Sequence, residues 1–90
     1  MNKERRERIS TVFDEICDVR SRLEELRSVI GDIQDEEQEA LDCIPENLQG
    51  SERYEKGEEA VENLDDAGLT LDDVLASLSE ALDSLGSAME

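Results

Sequence analysis

The sequence contains no histidine, no tryptophan, a single proline and only two aromatic residues, Phe13 and Tyr54. Without imidazole there is no ordinary general base near neutral pH, and no histidine-containing zinc or di-iron centre. Two aromatics cannot build a platform on which successive bases stack. Basic residues are scarce as well. Nine Lys and Arg stand against 26 Asp and Glu, a net charge of −17, so direct binding of nucleic acid by the molecule as a whole is excluded by sign. No run of 18 apolar residues exists, which excludes a membrane-spanning helix. The opening MNKERRERIS has charge but not the apolar stretch of a secretory signal. Cys17 and Cys43 are the only thiols. They read as reduced, cytoplasmic residues, and on one helix they stand about 39 Å apart, too far to bond within a chain.

What the sequence has is periodicity. From Ile9 the apolar positions run Val12, Ile16, Val19, Leu23, Leu26, Ile30 and Ile33, and the same count continues to Glu37, Ala40 and Ile44. Alternating steps of three and four describe a heptad seam, and so a helix packed lengthwise against another helix. Glu37 is the one charge in that seam. Its carboxylate can reach water along a stem laid on the core, or it can set register. The pattern stops at Ile44, because the residue before Pro45 is pushed out of the helical region. Ser51 then supplies an N-cap. A second register runs Tyr54, Gly57, Val61, Leu64, Gly68, Leu71, Leu75, Leu78, Leu82, Leu85 and Met89. It crosses Gly68 without an inserted residue, which argues for one helix with at most a kink there.

The expected fold is therefore all-α and a single domain over residues 1–90. It comprises a helix over 3–43, a turn over 44–51 and an antiparallel helix over 52–86. Phe13, Val29, Leu69, Val74 and Ala81 widen the apolar stripes beyond one seam. Two such hairpins dimerising into a four-helix bundle would cover them. The expected core and dimer residues are Ile9, Val12, Ile16, Val19, Leu23, Leu26, Ile30, Ile33, Val61, Leu64, Leu71, Leu75, Leu78 and Leu82.

Charge is distributed unevenly. Residues 1–27 carry seven bases and seven acids, whereas residues 28–90 carry nineteen acids against Arg53 and Lys56. Antiparallel packing brings the N-terminal arginines Arg5, Arg6, Arg8, Arg20 and Arg22 beside Asp72, Asp73, Glu80 and Asp83, leaving the excess acid toward the turn. A solvated helix face is the plainer account of such a run. A phosphate-like row of carboxylates is the sharper one, because duplex DNA carries a charge about every 1.7 Å of axis. The residues that would form it are Asp32, Asp35, Glu36, Glu39, Asp42, Glu46, Glu58, Glu59, Glu62, Asp65 and Asp66. No catalytic dyad, phosphate loop or metal site stands out. Asn63, Asp65 and Gly68 touch a calcium-loop pattern that Ala67 and Val74 break. No enzyme activity, cofactor or metal is expected.

The stretch Asp35-Glu36-Glu37-Gln38-Glu39-Ala40, with Ile44-Pro45-Glu46-Asn47-Leu48-Gln49 and Ser51-Glu52-Arg53-Tyr54-Glu55, resembles small acidic helical proteins of bacterial phages and prophages. The resemblance covers residues 35–66, and Gly68-Leu69-Thr70 departs from it. It implies a phage setting in a bacterial cytoplasm. By analogy with acidic phage proteins, it also implies an inhibitor of host restriction, recombination or CRISPR machinery acting as a DNA mimic on a basic nucleic-acid-binding protein. Two alternatives stand beside this. One is a structural or adaptor coiled coil. The other is a sponge for an anionic signal held by the N-terminal arginines.

Overall fold

The computed structural model describes residues 1–90. It contains two long helices and no strand: α1 spans Lys3–Asp42 and α2 spans Glu52–Ala88, with a 3₁₀ turn at Glu46–Leu48 between them. Asn2 caps α1, its Oδ1 accepting from the Arg5 amide at 2.8 Å. Ser51 caps α2 as expected, accepting from the Tyr54 amide at 3.3 Å. Pro45 ends the first run, and the carbonyls of Pro45 and Leu48 accept from the Leu48 and Ser51 amides. The second helix passes Gly68 unbroken and ends two residues beyond the expected boundary. The hairpin measures 70 × 15 × 14 Å.

On α2 the expected register is the one that packs. Every position from Tyr54 through Leu82 to Met89 is partly or fully buried. On α1 only half of the expected seam packs inside the chain. Ile9, Ile16, Leu23, Ile30, Glu37 and Ile44 face α2, but Val12, Val19, Leu26 and Ile33 are 40–53% exposed. Their place in the hairpin seam is taken by the residues one position on: Phe13, Arg20, Arg27, Gln34 and Leu41. The reason lies in what α2 offers opposite them. Arg20 Nη1 donates to Ser79 Oγ at 3.2 Å, Arg27 Nε to Asp72 Oδ1 at 3.0 Å, and Gln34 Nε2 to Asp65 Oδ1 at 3.4 Å. At the two ends of this row the contacts are apolar, with Leu41 lying on Gly57 and Phe13 near Gly86.

Both glycines facing the middle and turn end of α1 are places of close approach. A Cβ on Gly57 would lie 2.4 Å from Leu41 Cδ2, and one on Gly68 would lie 2.6 Å from Arg27 Cζ. Only Leu41 and Leu82 are buried apolar side chains. The intramolecular core is thin for two helices that draw most of their stability from packing.

The hairpin has two unlike faces. On α1, Val12, Val19, Leu26, Ile33 and Ala40 precede the packed row by one residue. On α2, Ala60, Ala67, Val74, Ala81 and Ala88 precede the row of Val61 by one residue. Equal offsets on antiparallel helices point to the same side of the hairpin. An open groove lined by Ile9, Val12 and Leu85 marks this side near the termini. The polar row of Arg20, Arg27 and Gln34 marks the other.

Candidate functional site

All eleven carboxylates expected to form an acidic surface are exposed: Asp32, Asp35, Glu36, Glu39, Asp42, Glu46, Glu58, Glu59, Glu62, Asp65 and Asp66. The fold brings them into one half of the rod. The Gln34–Asp65 and Arg27–Asp72 contacts fix the register, and that register sets Asp32–Asp42 beside residues 57–67. Glu46 sits in the 3₁₀ turn at the end. Helical phase places Asp35, Asp42, Glu58, Glu62 and Asp65 toward the polar face. Asp32, Glu39, Glu59 and Asp66 lie along the outer edges of the two helices, and Glu36 borders the apolar face.

None of these eleven groups forms an ion pair. Five of the nine bases are engaged elsewhere: Lys3 with Glu7, Arg20 with Glu24, Arg22 with Glu25, Lys56 with Glu52, and Arg27 with Asp72. Asp42 accepts from Gln38 Nε2 at 3.0 Å and Asp65 from Gln34 Nε2, so the only side-chain hydrogen bonds to this surface come from neutral amides. No three of the carboxylates converge as metal ligands would.

The spacing of charge is duplex-like. Between the heights of Asp32 and Asp42, a rise of about 15 Å, the two helices present eleven carboxylates when half-buried Glu37 is included in place of Glu46. Duplex DNA presents about nine phosphates over that rise.

The expected compensation at the other end takes a different form. Asp73, Glu80 and Asp83 have no basic partner, and the single ion pair between the helices is Arg27–Asp72, at mid-length. Arg22 turns along its own helix to Glu25, and Arg6 Nε donates to the Met89 carbonyl at 3.0 Å. Side chains four residues apart on one helix meet without any ordering of the hairpin, and this local pairing wins over cross-helix pairing for exposed charges. Arg27 differs because it lies in the packed row over Gly68. Its hydrogen bond to Asp72, opposed by partial desolvation and aided by the charges of Asp72 and Asp65, raises its pKa above the ordinary arginine value.

Arg5 and Arg8 flank the shallow groove of Ile9, Val12 and Leu85, which opens onto the apolar face. The feature that reading for acid alone misses is that apolar face. Its signal is present in the sequence as small apolar residues every seventh position from Ala60 to Ala88. No helix is long and apolar enough to cross a membrane. No family model, no curated protein and no solved structure matches the chain.

Proposed function

We propose that this chain is a non-enzymatic inhibitor that occupies the basic cleft of a nucleic-acid-binding protein by presenting a duplex-like array of carboxylates, and that it does so as a homodimer. The observation that carries the reading is the turn half of the rod, where these eleven of the fourteen carboxylates between Asp32 and Asp66 are exposed and without a cationic partner. A surface built only to keep a helix soluble mixes both signs. Two rigid helices hold this one at phosphate-like spacing. Oriented carboxylates that need no rearrangement replace phosphates in a cleft already stripped of competing acid. The phage setting implied by the resemblance fits the same reading, with host restriction, recombination or CRISPR proteins as the class of target.

The test is charge reversal. Changing Glu36, Glu39, Asp42, Glu59 and Glu62 to lysine abolishes target binding while far-UV circular dichroism stays helical, since none of the five lies in the packed seam. Changing Asp83 and Glu90 leaves binding intact. Affinity of the parent falls about tenfold or more between about 50 and 300 mM salt. The adaptor reading is favoured by the uncovered apolar face and predicts the reverse, a shallow salt response and indifference to the five reversals. Equal affinity of the parent and the five-fold variant eliminates mimicry.

A further inference from the structure

The hairpin seam leaves one apolar stripe uncovered on each helix, and both stripes lie on one face. Val19 is 53% exposed, Leu26 40% and Val74 39%. In a chain of net charge −17, α2 contributes no carboxylate to this face. The row bordering its stripe is Lys56, Asn63, Thr70, Ser77 and Ser84. A face 70 Å long and 15 Å wide covers about 1,000 Å² in projection, and a stable interface takes about 800 Å² per partner.

We infer that a second copy of this chain packs on this face turned end for end, so that the two turns lie at opposite ends of a four-helix bundle. The inference rests on the homodimer of the reading above and not on mimicry.

The placement of the stripes permits this arrangement, and the charge sets the direction. The stripe on α1 runs from Val12 to Ala40 and is centred on Leu26, and that on α2 runs from Ala60 to Ala88 and is centred on Val74. The Arg27–Asp72 contact puts Leu26 and Val74 at nearly the same height. A two-fold axis across the face at that height lays each stripe on its own reverse. Leu26 then meets the partner's Leu26, and Val74 meets the partner's Val74. On α2 the meeting surfaces are mainly alanine, so the backbones can approach closely. Charge selects the same arrangement. Residues 28–71, the turn half, hold fourteen acids and two bases, and the remaining residues hold twelve acids and seven bases. These are net charges of −12 and −5. Packing with both turns at one end stacks −12 on −12, whereas reversal sets each −12 beside a −5.

Cysteine cross-linking of the full chain decides the matter. With Cys17 and Cys43 changed to serine, Leu26→Cys or Val74→Cys supplies a single thiol at a position exposed in the hairpin. On mild oxidation each variant alone gives a covalent dimer, and a control with Asp66→Cys, on the outer edge, gives none. Helical content matching the parent shows that the fold is kept. Self-linking at neither position, with linking only when the two variants are mixed, places the turns at one end. That outcome overturns the inference and leaves the dimer standing. A parent dimer that links in neither experiment uses another face, which also overturns it. A parent that sediments at 10.1 kDa at micromolar concentration removes dimer and inference together. None of these outcomes bears on target binding, so mimicry stands or falls separately.

Discussion

At Gly57 the Leu41 side chain of α1 occupies the space a Cβ would take. An alanine Cβ there would overlap Leu41 Cδ2 and lie 3.2 Å from its Cγ, and Leu41 is one of the two buried apolar residues. Overpacking of this kind costs about 1–3 kcal/mol, more than the ~1 kcal/mol that alanine gains over glycine in a helix. Gly57→Ala therefore lowers the melting temperature. Gly31→Ala does the opposite. Its nearest neighbour would be Arg27 Nη1 at 3.7 Å, an ordinary contact, so the propensity gain of ~1 kcal/mol is realised. Thermal melts followed by circular dichroism show it as a rise of about 4–8 °C. At Arg27 the raised pKa means that the pairing with Asp72 favours folding wherever arginine is charged. The sign follows from linkage: a group with a raised folded pKa contributes fully below its unfolded pKa and loses that contribution as pH climbs through the folded one. For arginine that window lies in strong alkali, so this contribution is constant across the neutral range.

The second helix was legible residue by residue and the first only in part, for a physical reason. On α2 every seam position is apolar or glycine, so composition and geometry agree. On α1 two candidate rows stand one residue apart. The row from Val12 to Ala40 is wholly apolar, whereas the row from Phe13 to Leu41 has Arg20, Arg27 and Gln34 at its centre. Hydrophobicity selects the first, and the hairpin uses the second. Ser79, Asp72 and Asp65 stand opposite the polar side chains, and no pattern within one helix reveals what stands opposite it. The excess of acid toward the turn was legible from composition and antiparallel packing; which carboxylates of the two helices stand at the same height required the register. The apolar row left over on α1 has its own test. Val19→Glu is expected to reduce the sedimenting mass from two chains to one, because Val19 is exposed in the hairpin and would be covered only in the proposed dimer. Leu82→Ala acts inside the chain, where Leu82 is 5% exposed. It lowers stability by about 2–5 kcal/mol, as measured by urea unfolding.

Across the whole molecule, nineteen acids against two bases from residue 28 onward repel one another along a thin rod, and that repulsion opposes folding and association alike. Raising ionic strength from about 0.01 to 0.15 M shortens the screening length from about 30 to 8 Å. The melting temperature of the free protein should rise over that range, while its affinity for a basic target falls; a parallel change in both would contradict the electrostatic account. The uneven placement of the charge has one more consequence. With −12 in the turn half and −5 in the other, a single hairpin is an electric dipole directed along its 70 Å axis. The field of a cationic cleft therefore exerts a torque that presents the turn end first, before any contact is made. In the proposed end-for-end dimer the two dipoles would oppose each other along that axis and cancel by symmetry. Such a particle has no leading end, and a target can meet it equally well from either pole. Electric birefringence reads the difference directly, as a permanent long-axis moment that vanishes when the chains pair.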